Sequence, residues 1–259
     1  MPIQWPAESI WEQVAPGLPG FTVEIVPEIA STNTELMGRA RGGQTDPVLL
    51  VAESQTAGRG RMGRSWSTGA QPGDTLTFSL GLPLEPADWS GLSLVVGLAL
   101  ARVLAPGVQV KWPNDLWWQE RKLAGVLIET LQSGAVRYAV IGVGLNVAQP
   151  TAQGLATPAA CLHDVEPGLT AATALARVVP ALVQAVREFE STGFAPWRNA
   201  YTTRDALAGR EVTLSNGQAG LCQGVDERGA LLVHTPSEGL VRVTSAEVSV
   251  RPRSPNPSA

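Results

Sequence analysis

Four short segments hold the residue types that can do chemistry. The first, Gly58-Arg-Gly-Arg-Met-Gly63, spells GxGxxG and is followed directly by Arg64. A dinucleotide-binding loop of that spelling opens a helix right after its strand, whereas here Arg64-Ser-Trp-Ser-Thr-Gly69 runs on to Pro72-Gly73, which is loop chemistry. Glycines that let backbone N–H groups approach a ligand, interleaved with Arg59, Arg61 and Arg64, describe an anion-binding loop instead; the same residues also fit an exposed basic turn. The second segment, Lys111-Trp-Pro-Asn-Asp-Leu116, sets the amide of Asn114 and the carboxylate of Asp115 beside a lysine. An amide can read the edge of a base, and a carboxylate can orient a lysine or hold Mg²⁺ through water, although Pro-Asn-Asp is equally a common turn. In the third, Lys122-Leu-Ala-Gly-Val-Leu-Ile-Glu129, one lysine stands at the mouth of an otherwise apolar strand, where it either snorkels or functions. The fourth, Ile141-Gly-Val-Gly-Leu-Asn-Val147, places two glycines and Asn146 inside an apolar run. Glycine there marks the close approach of a ligand or of a neighbouring strand.

Elements must hold these segments in place. A strand is expected over 22–26, then a helix whose N-terminus lies at Ala30-Ser-Thr-Asn-Thr-Glu-Leu-Met37, with Ser31 as its cap. The apolar run 47–52 and the alternating run 74–80 read as strands flanking the Gly/Arg loop. The apolar stretch 92–104, closed by Pro106-Gly107, reads as a core helix, and 108–111 as a strand. Two further apolar segments, 123–131 and 136–147, are joined by Gln132-Ser-Gly134 as a hairpin. A helix is expected over 170–190 and a shorter one over 196–204. From residue 211 short β-like runs alternate with Asn216-Gly217, Arg228-Gly229 and Glu238-Gly239, which describes a small β-barrel. The expected fold is therefore α+β, a mixed and largely antiparallel sheet with flanking helices over 1–206, a barrel over 207–252 and a Pro/Ser-rich tail over 253–259.

Composition narrows the function classes. The chain has 259 residues, 44% hydrophobic and 16% charged, which suits a folded protein rather than a disordered one. Its formal net charge of -4 argues against bulk attraction to a nucleic-acid backbone. The longest apolar stretch, 92–101, is well short of the ~18 residues of a membrane span. Cys161 and Cys222 form no spaced pair, so a disulfide framework is not expected and a reducing cytoplasm is. Cys161-Leu-His163-Asp164 offers too few ligands for a closed zinc site, and neither His163 nor His234 accompanies a GxSxG elbow. The two lysines of the chain, Lys111 and Lys122, lie in one neighbourhood, as if a compact ammonium were needed there.

These four segments, in this order and together with Ser31-Thr-Asn33 and Glu53-Ser-Gln55, resemble the biotin protein ligases, also called biotin–[acetyl-CoA-carboxylase] ligases. The likeness spans roughly 22–252, because Gly209-Arg-Glu-Val212 and Glu247-Val-Ser-Val-Arg251 look like the two ends of that family's C-terminal SH3-like barrel. Three departures accompany it. Met62 stands where many relatives carry a further arginine. Only about twenty residues precede the first expected strand, too few for the winged helix-turn-helix of bifunctional members, so repressor activity is not carried over. Gly224-Val-Asp226 and Ser245-Ala-Glu247 are looser than the family's usual wording.

The resemblance implies a class II aminoacyl-tRNA synthetase-like fold and a two-step reaction. Biotin and ATP give biotinyl-5'-AMP, and the biotinyl group then passes to one lysine of a biotin carboxyl carrier protein, with Mg²⁺ required and a homodimer possible. It places Lys122, Arg61 and Lys111 at the reacting groups. Biotin falls to Ser31, Thr32, Asn33, Gln55, Gly58, Arg59, Gly60, Arg61, Lys122, Gly125, Leu127 and Gly142. ATP falls to Arg59, Arg61, Lys111, Trp112, Asn114, Asp115, Lys122 and Asn146. Glycine flexibility and arginine repulsion lead to the expectation that the loop 58–63 is mobile when empty and orders on ligand binding. A lipoate protein ligase shares the fold and adenylate chemistry, and a non-catalytic biotin-responsive regulator is the alternative of another class.

Overall fold

The computed structural model describes residues 3–150, 157–244 and 250–252. Seven strands, β1 (Thr22–Ile29), β2 (Val48–Gln55), β3 (Thr75–Pro83), β4 (Gln109–Lys111), β5 (Asp115–Trp118), β6 (Arg121–Ser133) and β7 (Val136–Asn146), make one sheet in the order β1-β2-β3-β7-β6-β5-β4. Only the β1–β2 pair is parallel; every other pair is antiparallel, as the sequence indicated. The β6–β7 hairpin closes at Ser133 opposite Val136, with Gly134 at φ 59° supplying the left-handed backbone that a two-residue turn requires.

Side chains alternate between the two faces of a strand, and the alternation here separates core from site. One face carries Leu49 and Val51 of β2, Leu76, Phe78, Leu80 and Leu82 of β3, Ile141, Val143 and Leu145 of β7, and Ala124 and Val126 of β6, all in the main apolar core. Helix α3 (Leu92–Leu104) and the long α5 (Ala171–Thr192) pack together on that side. Burying apolar side chains at roughly 25 cal/mol per Å² makes this layer the main source of stability. The span of α3 matches the expected 92–104, and α5 starts at the Thr170 cap, whose hydroxyl accepts from Thr173 N–H. Helix α2 (Thr32–Arg41) lies on the opposite face, seated by Leu36, Met37 and Ala40 on Val48, Leu50, Tyr138 and Val140. It covers one end of that face. Toward its other end the same alternation puts the buried Thr77 and Ser79 of β3, Gly142 and Gly144 of β7, and Gly125, Leu127 and Glu129 of β6 on this face.

Four elements depart from the sequence reading. Helix α1 (Ala7–Val14) occupies the leader, where no element was expected, and buries Ile10 and Val14 beside α5 and β1. Strand β5 begins at Asp115, inside the stretch that reads locally as a turn; pairing with β6 overrides the local preference. The expected helix over 196–204 is a single 3-10 turn, Ala195–Trp197, followed by α6 (Arg198–Thr202). A short helix at Leu162–Val165, numbered α4 in the chain, is capped by Cys161.

Five short strands, β8 (Glu211–Leu214), β9 (Ala219–Val225), β10 (Leu231–Thr235), β11 (Gly239–Val243) and β12 (Val250–Pro252), form a second, antiparallel sheet in the order β11-β10-β9-β8-β12, consistent with an SH3-like unit. Its inner residues Val212, Cys222, Leu231 and Val233 join the main core. The segment leading into it is stitched to β4: Val110 N–H donates to Arg204 O at 2.8 Å and Ala206 N–H to Val110 O at 3.1 Å. The loosely matching stretch at 245–247 and the tail 253–259 lie outside the described residues. Among the described residues no helix is long and apolar enough to cross a membrane.

Candidate active site

The uncovered end of the sheet, the N-terminus of α2 and the Gly/Arg loop enclose a cleft of roughly 370 Å³, a size usual for small-molecule sites. At its closed end the α2 N-terminus is built from residues that cap and hydrogen-bond rather than pack. The Ser31 hydroxyl accepts from Thr34 N–H at 3.4 Å. Gln55 Oε1 accepts from Thr32 N–H at 2.8 Å and from Thr32 Oγ1 at 3.2 Å. Ser79 Oγ, with one proton for two neighbours, lies 2.7 Å from Thr32 Oγ1 and 2.6 Å from Asn33 Oδ1. The Asn33 amide donates to Leu127 O at 3.2 Å and Glu129 Oε2 at 3.0 Å. Ser31, Thr32, Asn33 and Ser79 are all buried. Such a polar cluster stands only because each group is paired, and it offers donors and acceptors at fixed positions.

Two glycines make room for it. A Cβ at Gly142 would fall 2.1 Å from Asn33 Oδ1, and one at Gly144 would fall 2.3 Å from the Trp66 ring. Gly125 faces Lys122 Nζ and Trp66. The glycines of the fourth segment thus admit Asn33 and Trp66 to the sheet surface.

The open end is cationic. Arg59, Arg61, Arg64, Lys111 and Lys122 line it, against Asp115 as the one carboxylate among the described lining residues. Lys122 Nζ is 2.8 Å from Asp115 Oδ1 and 5.8 Å from the Trp66 ring centre; Lys111, buried, has its Nζ 5.4 Å from the Trp117 ring centre. Arg61 donates to Asn114 Oδ1 at 3.3 Å, and Asn114 is locked to β6 through its amide on Val126 O at 2.7 Å. Burial, with repulsion from Arg64, lowers the Arg61 guanidinium from its usual range, and Asp115 partly offsets this. Guanidinium groups stay charged under such shifts, so an incoming anion gains by relieving the strain of crowded like charges.

The structure brings most of the expected site residues together. Ser31, Thr32, Asn33, Gln55, Arg59, Gly60, Arg61, Lys111, Asn114, Asp115, Lys122, Gly125, Leu127 and Gly142 all line the cleft. Gly58, Trp112 and Asn146 stand behind it. Gly58 lets two chain segments cross, its carbonyl accepting from Trp66 N–H at 2.9 Å. Trp112 is buried, with its Nε1–H donating to Gly229 O at 3.0 Å. The Asn146 amide spends its hydrogens on Lys122 O at 3.2 Å and Ala160 O at 3.0 Å. Sequence reasoning passed over Trp66 and Ser79. The alternation of Thr75, Thr77 and Ser79 along β3 could have marked a polar face inside a buried strand, whereas nothing in its spacing singles out Trp66.

A sheet-borne polar pocket that opens into a cationic mouth defines a binding protein for a small ligand with a polar head and an anionic end. The family model of biotin/lipoate A/B protein ligases matches residues 26–146, and that of the biotin protein ligase C-terminal domain matches residues 209–251. The chain is 36% identical over 251 residues to the bifunctional ligase/repressor BirA of Escherichia coli, covering 93% of this chain and 77% of that protein. With the biotin–[acetyl-CoA-carboxylase] ligase of Mycobacterium tuberculosis it shares 34% identity over 233 residues, 81% of this chain and 82% of that one. The biotin protein ligase of Aquifex aeolicus, solved in complex with biotin and ATP, superposes with a TM-score of 0.75 at 28% identity over 89% of this chain and 99% of that one. This chain belongs to the biotin protein ligase family.

Proposed function

We propose that this protein is an ATP-dependent biotin protein ligase that makes biotinyl-5'-AMP and passes the biotinyl group to a lysine of a biotin carboxyl carrier protein. The observation that carries the reading is the contrast between a chain of net charge -4 and a cleft lined by five cations and one carboxylate, Asp115, with Glu129 pairing Arg59 from outside the lining. In the first half-reaction a carboxylate oxygen bonds to the α-phosphorus while the bond from that phosphorus to the β-phosphate bridging oxygen breaks, and pyrophosphate leaves. An anion must approach a polyanion, so fixed cations have to cancel the repulsion before in-line geometry is useful. In the second, the carrier lysine nitrogen bonds to the acyl carbon, AMP leaves and the amine proton is lost; an already activated carbonyl needs no enzyme nucleophile.

In this reading Ser31, Thr32, Asn33 and Gln55 hold the ureido ring, and Gly125, Leu127 and Gly142 form the wall beside the rest of biotin. Lys122 stands at the biotin carboxylate and α-phosphate, Arg61 with Arg59 and Gly60 clamps the acyl-phosphate, and Lys111 meets the outgoing phosphates. Asn114 and Asp115 serve the nucleotide side. Gly58, Trp112 and Asn146 act from behind, Asn146 by fixing the backbone of Lys122. Mg²⁺ fits as an ion carried on the triphosphate: among the described residues no three His, Cys, Asp or Glu groups cluster, while Asp115 offers the single carboxylate that such an ion commonly takes alongside phosphate oxygens. Bound there, it would neutralise phosphate charge. Residues 1–206 would form the catalytic unit and 207–252 an attached barrel, in a reducing cytoplasm compatible with the buried, unbridged Cys161 and Cys222.

Mass spectrometry of the nucleotide products with biotin, ATP and Mg²⁺ tests the reading. The wild-type protein should yield biotinyl-AMP, and Lys122→Ala should yield little. Parallel ATP–pyrophosphate exchange with lipoate separates the two acids; exchange with lipoate alone, or with neither, would refute the proposal.

A further inference from the structure

Glu129 has no part in the chemistry above, yet it joins two pieces of the site. It stands on β6 in phase with Gly125 and Leu127, and its side chain is only 22% exposed. Its oxygens are divided between two partners. Oε2 accepts from the amide of Asn33 at 3.0 Å, inside the closed polar end. Oε1 lies 3.2 Å from Nη1 of Arg59, the first arginine of the Gly/Arg loop, whose side chain is 51% exposed. Arg59 Nη1 also lies 3.5 Å from Thr34 Oγ1, at the limit of a hydrogen bond. Across the cleft Arg61 reaches Asn114 at 3.3 Å. The loop is thus clamped on both sides, and Glu129 is the clamp on the side of the polar end.

We propose that Glu129 is a positioning residue of the ligase reaction: its carboxylate ties the Gly/Arg loop to the polar end, so that a ligand seated against Asn33 and the placement of Arg59 depend on each other. This rests on the function proposed above. A half-exposed ion pair adds little to global stability, but a glycine-rich loop has much freedom to lose, and one tether changes how often it opens. The shared carboxylate supplies the coupling, since whatever draws the Asn33 amide away alters the group that holds Arg59.

Two measurements test it. In ligand-free protein, trypsin cleavage after Arg61 and Arg64 should run about fivefold faster in Glu129→Gln than in wild type, as expected for the loss of a partly exposed pair. Arg59→Gln breaks the same pair from its exposed end and should give the same acceleration, so the result stands even if the Glu129 variant folds poorly. Cleavage of both variants at the wild-type rate overturns the tether. The second measurement follows coupling. Gln at 129 still offers an oxygen to Asn33, so the biotin KM should stay within about twofold while biotinyl-AMP escapes the enzyme about fivefold faster. Equal changes in both quantities, or none in either, overturn the coupling. Failure of the wild-type protein to form biotinyl-AMP would count against the ligase reading, and the protease result would still decide the tether.

Discussion

Lys122 shows how much a single residue's surroundings decide. Its ammonium is held between Asp115 and the Trp66 ring, and its backbone carbonyl is fixed by both Ala160 N–H at 2.9 Å and the Asn146 amide. In the proposed reaction, a cation so oriented would reorganise little as charge develops on the α-phosphate, which is where electrostatic catalysis gains most. Lys122→Ala is expected to slow biotinyl-AMP formation about a hundredfold, a loss of roughly 3 kcal/mol, read in single-turnover assays. Lys122→Arg should not restore it, because the planar guanidinium cannot take the place of a compact ammonium. Gly142→Ala tests the closed end. Its Cβ would meet Asn33 Oδ1 at 2.1 Å, so Asn33 must leave Ser79 and Glu129. Calorimetric titration should show biotin affinity reduced about tenfold or more, the cost of overpacking a fixed site. At this scale the sequence named most of the residues that the fold brings to the cleft, since lysines, arginines and glycines in motif order are visible in one dimension. Trp66 and Ser79 were not, because their roles come from what lies opposite them in space.

Among the elements, α2 depends most on its ends. Its ten residues include Asn33, Thr34 and Gly38, which are weak helix formers, and only Leu36, Met37 and Ala40 seat it in the smaller apolar cluster. The Ser31 cap therefore matters both to the helix and to the pocket it opens. Ser31→Ala should cost about 1 kcal/mol in urea unfolding and weaken biotin binding at the same time; a stability loss with unchanged binding would separate the two roles. Long apolar segments such as α3 and the β6–β7 hairpin were legible because period, breaker and turn glycine agree. Strand β5 was not, since four residues beginning Asp-Leu-Trp-Trp are committed by pairing with β6 rather than by propensity. Helix α1 escaped for a related reason: its apolar face is narrow, and α5 and β1 supply the burial that makes it a helix.

Over the whole molecule, the cleft and the small barrel meet through the segment stitched to β4, one residue from Lys111. Asp205 anchors that seam. It is buried, its Oδ1 accepts from Tyr201 Oη at 3.1 Å and from Leu207 N–H at 2.8 Å, and its Oδ2 has no hydrogen-bond partner among the described residues. Cys222 of β9 is the barrel's nearby titratable group, its thiol pushed up to about 11 by burial. Burial likewise raises the Asp205 carboxyl above its ordinary value, against the opposing effect of its two donors, and Tyr201 is raised well above its own. The folded state then holds the Asp205 proton more tightly than the unfolded chain, whose aspartates titrate near about 3.9. The contribution of Asp205 to stability therefore falls as pH rises from that value through the raised one, and levels off beyond it. Asp205→Asn keeps an oxygen for Tyr201 and Leu207 but cannot ionise. The difference in unfolding free energy between wild type and variant, from urea titrations at several pH values, should shift in the variant's favour across that window. A difference independent of pH would show that the folded seam does not raise the Asp205 carboxyl.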